Sequence, residues 1–134
     1  MSLSLSQLRT ANRARQRRWD PDSKITLLFW STALAGEVGE ACNVVKKLER
    51  QSLGLAGSAT SIDALREELA DVLIYLDLLA DAAGIDLSRA TIEKFNSSST
   101  KLGLKVFLGT GEDTSHAAGV PGKRPEAATA AGEE

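Results

Sequence analysis

Two segments of this chain repeat apolar residues at helical spacing, and only about a dozen residues part them. Leu27, Leu34, Val38, Ala41, Val45 and Leu48 mark the first, and Ile62, Leu65, Leu69, Val72, Leu76, Leu79 and Ala83 the second. Intervals of three, four and seven are those of a helix that buries one face. So short a connection makes the two helices antiparallel neighbours. A helical hairpin is therefore the frame on which everything else must be hung.

The remaining elements follow from caps and breakers. A weaker helical pattern covers 4–18 through Leu5 and Leu8, with Arg9, Arg13, Arg15, Arg17 and Arg18 on its wetter side. Asp20-Pro21 reads as an N-cap followed by proline at the first helical position, so the long helix is expected to run from there to about Arg50. Gly54, Gly57 and the Ser/Ala/Thr stretch to Ser61 form a loop, and the next helix covers 62–83 with Gly84 just past its end. Asp86 or Ser88 caps a fourth helix to about Leu102. Beyond it the pattern dissolves into Gly, Ala, Thr, Glu and Pro, which predicts a flexible tail over 109–134. The expected fold is an all-α, four-helix bundle, with one domain over 1–108.

Composition agrees with helices and excludes several functions. Aromatics are scarce at 4% and prolines number three, which speaks against a β-sandwich or barrel. The longest uncharged runs, Ile25–Gly36 and Gln51–Ile62, are too short to span a bilayer. The opening Met-Ser-Leu-Ser-Leu-Ser has no basic region and no continuous apolar stretch, so no secretory signal is expected. A single cysteine, Cys42, cannot staple the fold internally; the chain reads as cytoplasmic, with Cys42 expected as a small buried hydrophobe. Charge is segregated: residues 1–24 carry six Lys/Arg against two Asp, whereas 25–86 carry four basic against ten acidic groups. An acidic middle is not the footprint of a duplex nucleic-acid binder. It suits a site with cations at its centre and phosphates at its rim.

The chemistry lies in two acidic dyads, Glu37-Val-Gly-Glu40 and Glu68-Leu-Ala-Asp71. At roughly 100° per residue, Glu37 and Glu40 stand about 70° and 130° from their stripe centre, and Glu68 and Asp71 about 80° and 140°, with the same handedness. On antiparallel partners, equal azimuths fall on one side of the hairpin, so four carboxylates converge. Such groups repel unless a cation sits among them. Four hard oxygen donors without histidine or thiolate select Mg²⁺ or Mn²⁺ over Zn²⁺ or copper. The absence of a Glu-x-x-His pair argues against a ferritin-like di-iron site.

Leu34-Ala-Gly-Glu37-Val-Gly-Glu40-Ala, followed after a long spacer by Arg66-Glu67-Glu68-Leu-Ala-Asp71-Val-Leu-Ile-Tyr75-Leu, resembles the MazG-like, all-α nucleoside triphosphate pyrophosphatases over about residues 5–108. The resemblance implies that Glu37, Glu40, Glu68 and Asp71 hold two or more Mg²⁺ or Mn²⁺ ions. A water would then attack the α-phosphorus, releasing nucleoside monophosphate and pyrophosphate, with Glu37 or Glu40 taking its proton. It also implies a homodimer, or a homotetramer built as a dimer of dimers.

Lys94, Asn96 and Lys101 occupy the region where the family places phosphate- and sugar-binding groups, although Ser98 stands at the usual Asn position and Leu102 replaces an aromatic. The Phe-Asn-x-x-Ser-x-Lys-x-Gly string resembles a phage and bacterial subgroup associated with purine deoxynucleotides, so dGTP or dATP is expected first and dCTP-type pyrimidines second. Trp30, two turns before Glu37, is the stacking candidate for the base, or else core; Asn43, one turn beyond Glu40, is a candidate hydrogen-bonding partner of base or ribose. The competing expectation is a non-catalytic helical assembly module that uses its acids only for metal-dependent folding. Phosphate loops do not compete, because Gly119-Val-Pro-Gly122-Lys123-Arg is too short for one and lacks the Ser/Thr.

Overall fold

The structure, a computed structural model, describes residues 2–109. Four helices follow in order: α1 (Leu5–Trp19), α2 (Leu27–Ser52), α3 (Ile62–Ala82) and α4 (Leu87–Lys101). No strand occurs among the described residues, so the chain is all-α as expected. The tail expected over 109–134 lies, but for Gly109, outside the described residues.

Local chemistry sets each boundary. Ser4 and Gln7 form a capping box on α1, and Thr26, Ser61 and Asp86 cap the other three helices with side-chain oxygens. Gly54, Gly84 and Gly103 each follow a helix end with φ between 67° and 69°. There the next residue's N–H reaches back to the carbonyl five positions earlier, as in Ile85 to Ala80 at 2.8 Å. Left-handed backbone of this kind is cheap only for glycine.

The Asp20-Pro21 expectation is corrected. Asp20 ends α1 instead of starting α2, and its carboxylate accepts from the N–H groups of Ile25 (2.8 Å) and Lys24 (2.9 Å). Those two bonds hold its carboxyl below the ordinary carboxylate range. They close a turn over 20–26 and leave Thr26 to cap the long helix.

α2 and α3 are antiparallel. Trp30 meets Tyr75, Glu40 lies by Glu68, and Gln51 bonds Thr60 beside the loop, so ascending positions on one helix meet descending positions on the other. At the loop the Arg50 guanidinium donates to the Ser58 carbonyl and lies against Gly57, where a β-carbon would collide with it. α1 packs on α3 from another side, and α4 reaches the others mainly through α1.

Because α3 is central, its buried face differs from the apolar stripe read from its sequence. Asp77, Leu78 and Ala80 are buried, while Ile62 and Leu69 of the expected stripe are exposed. On α2 the buried positions are Trp30, Ala41 and Val44, with Leu27, Val38 and Val45 left exposed. Cys42 is also exposed, contrary to expectation, because it sits one residue off that buried face.

α1 is fastened to α3 by polar groups. Asp77, 1% exposed, accepts from Arg9 Nε at 2.9 Å and from Asn12 Nδ2 at 2.9 Å. Asn12, itself buried, gives its other amide hydrogen to the Ile74 carbonyl at 3.3 Å. Asp81 takes Arg13 at 2.6 Å and Arg9 at 3.1 Å. Its carboxyl is held below the ordinary range, chiefly by the hydrogen bond from Arg13 and also by the charges of both arginines.

Candidate active site

Glu37 and Glu40 stand one turn apart on α2 and Glu68 faces them from α3; one carboxylate oxygen from each lies within 4.8 Å of the others. Among the described residues no Lys or Arg forms an ion pair with any of the three. The Glu37 carboxyl is raised above its ordinary value by partial burial, then by the charges of Asp71, Glu40 and Glu68. Glu68 is raised likewise, by burial first and then by Glu40, Asp71 and Glu67. Among the described residues, like charges are thus gathered with no Lys or Arg paired to them, and an all-oxygen donor set of this size fits a hard divalent ion.

Asp71 stands one turn beyond Glu68. It is near enough for its charge to act on Glu37 and Glu68, but it is not part of the three-carboxylate cluster. Its place is the wall of an adjoining cavity of about 400 Å³. That volume lies within the ~300–1,000 Å³ typical of small-molecule sites.

Aromatic rings make up much of this cavity's lining. Trp19, Phe29, Trp30 and Tyr75 all line it, with Phe29 and Trp30 edge-to-face at 5.2 Å and Trp30 6.0 Å from Tyr75. Trp19 closes the group, 6.0 Å from Phe29 and 6.1 Å from Trp30. Trp30 is 5% exposed, so it belongs to the core and offers the cavity little surface.

Four of the chain's six aromatics meet here, and sequence reasoning singled out only Trp30. The available signal was the scarcity itself, since rings this rare are informative when they flank an acidic motif. Polar members of the wall that the sequence did not single out for a site are Asn12, Arg15 and Gln16, all from α1.

The other expected contacts are placed elsewhere. Asn43 is exposed on α2 and does not line the aromatic cavity. Lys94 and Lys101 are exposed on α4. Asn96 spends its amide on the backbone of Leu108, donating to the carbonyl at 3.0 Å and accepting from the N–H at 2.7 Å, so it ties the segment after α4 back onto the helix.

Facing carboxylates thus lie on an all-α hairpin beside an aromatic cavity. The profile of the MazG nucleotide pyrophosphohydrolase domain matches residues 26–102, and the chain belongs to that family. It is similar to the "Gene 37 protein" of Mycobacterium phage L5, with 33% identity over 94 residues, 70% of this chain and 82% of the phage protein. It is also similar to "dCTP pyrophosphatase 1" of Rattus norvegicus, with 37% identity over 79 residues, and of Mus musculus, with 35% over 79. Those two matches cover 58% of this chain and 46% of each mammalian protein, so the shared region is about half of their length. The chain is a nucleoside triphosphate pyrophosphohydrolase. No described helix is long and apolar enough to cross a membrane.

Proposed function

We propose that the chain converts a deoxynucleoside triphosphate to its monophosphate and pyrophosphate, with the polyphosphate at the Glu37–Glu40–Glu68 cluster and the base in the aromatic cavity. The observation that carries this reading is the junction at Asp71, whose carboxylate lies by the acidic cluster and also lines the cavity. Glu37, Glu40, Glu68 and Asp71 would hold Mg²⁺ or Mn²⁺, which when bound neutralises phosphate charge and makes a nearby water more acidic.

The chain's own groups do the rest. The rings orient the base, Asp71 fixes the turn from base to phosphates, and the exposed Glu40 is placed to accept a proton from the attacking water. The test is pyrophosphate release from each natural dNTP and NTP with Mg²⁺ or Mn²⁺. Turnover of at least one nucleotide, and none after chelation, is expected; metal binding without turnover of any nucleotide supports the assembly module instead. The same panel decides between the purine preference drawn from the sequence resemblance and the dCTP of the mammalian relatives' names.

A homodimer, or a dimer of dimers, is part of this proposal. Leu28, Val38, Val45, Leu69 and Leu73 are exposed in the single chain, apolar side chains of α2 and α3 that a second copy would cover. Light scattering should give twice or four times the 14.2 kDa chain mass. A monomer at micromolar concentration would refute the assembly.

A further inference from the structure

We propose that Arg15 reads the base, and that it selects nucleotides whose base presents two adjacent hydrogen-bond acceptors, cytosine through O2 and N3 or guanine through O6 and N7. The inference rests on the aromatic cavity being the base slot.

Three observations lead to Arg15. First, it lines the cavity one helical turn before Trp19, so a guanidinium and an indole are offered to the same space from one α1 face. Glu37, Glu40 and Glu68 do not line this cavity, so a nucleotide with its phosphates at that cluster and its base in the cavity meets Arg15 with its base. Second, Arg15 forms no ion pair with any described residue, whereas Arg9 is spent on Asp77 and Asp81, and Arg13 on Asp81. Third, it is held in place. Its Nη2 donates to Asn12 Oδ1 at 3.2 Å, and Asn12 is itself buried and fixed by Asp77 and the Ile74 carbonyl. A chain of hydrogen bonds thus runs from the α1–α3 fastening to the slot.

The fork of a guanidinium offers two parallel donors, which match neighbouring acceptors on a base edge. Thymine puts an N–H between its two carbonyls, and adenine pairs each acceptor of its Watson–Crick and major-groove edges with a donor, so neither offers the same match. Of the other cavity polar groups, Asn12 has its amide engaged, and Gln16 carries both donors on one nitrogen and makes one long contact, 3.5 Å to Asp20. Only Arg15 can present the fork. It also lies outside residues 26–102, so the family match does not supply it.

The experiment measures initial rates of pyrophosphate release from dATP, dCTP, dGTP and dTTP with Mn²⁺ for the full chain, R15A and R15K, with thermal unfolding to confirm that both variants fold. The parent should prefer dCTP or dGTP, and the two substrates decide which edge is read. R15A should lower kcat/KM for the preferred nucleotide by about 10- to 100-fold, mostly through KM, and leave dATP and dTTP within about threefold. R15K should not restore the preference, because an ammonium lacks the fork.

Equal losses on all four nucleotides, or rescue by R15K, would mean that Arg15 serves phosphate charge, and the proposal falls. It falls too if R15A keeps the parent's selectivity, or if the parent prefers dATP or dTTP. No turnover of any nucleotide by the folded parent overturns the reading of the site, and this inference with it.

Discussion

Glu68→Gln should lose at least about a hundredfold in metal-dependent pyrophosphate release, because even partners outside a metal's own ligand set cost 10- to 100-fold when removed. The same variant should unfold at a higher temperature than the parent when both are stripped of metal. The sign follows from the pKa direction. The Glu68 carboxyl is raised in the folded chain by burial and by Glu40 and Asp71, so its charged form is disfavoured there. Whatever stability the protonated form retains is lost as pH rises through that raised pKa, and at neutral pH the ionised group opposes folding. A neutral amide removes the opposition.

Addition of Mn²⁺ should reverse the order, stabilising the parent by mass action and the variant much less. Calorimetry with and without Mn²⁺ reads both halves. A variant that is less stable without metal, or equally stabilised by it, would show that the three carboxylates do not act as one cation-holding group.

The second large effect concerns the fastening of α1. Arg9→Ala should destabilise the fold by about 3–5 kcal/mol, the usual cost of removing one partner from a buried ion pair. Arg9 donates to Asp77, which is 1% exposed, and to Asp81, and it also reaches the Ile85 carbonyl at 3.4 Å. Without it the Asp77 carboxylate keeps only Asn12. A fall in melting temperature on the order of 15 °C is expected.

Asp81→Asn should be milder and should depend on pH. The Asp81 carboxyl is depressed, first by the hydrogen bond from Arg13, so its contribution is complete above the ordinary carboxylate range and is lost as pH falls through the depressed value. Unfolding at neutral pH should therefore separate variant from parent, and acidification should close the gap. A gap that persists at low pH would place the contribution in packing rather than charge.

Much of this was legible in the sequence, for reasons that differ between residues. The dyads were readable because both the helical period and the sign of their azimuths are local properties, and convergence needed only a short loop. Asp20-Pro21 misled because a cap and a turn use the same residues; which N–H groups an aspartate meets is decided by chain direction after it. The stripe of α3 misplaced the buried face because a helix packed between α1 and α2 buries more than one side, as Leu78 and Asp77 do. Arg15 and Asn12 could not be singled out at all. Their roles depend on α1 meeting α3, a contact between residues more than 60 positions apart in the chain.

The family profile begins at residue 26 and so leaves α1 out, although α1 contributes Trp19, Arg15 and Asn12 to the cavity. The carboxylate cluster, by contrast, sits wholly on α2 and α3. On the proposed reading, reactivity belongs to α2 and α3, while discrimination is shared between them and α1. Such a layout would let the cavity-facing positions of the first helix be redesigned to retune which nucleotide is consumed, provided that Arg9 and Asn12 keep it fastened to α3.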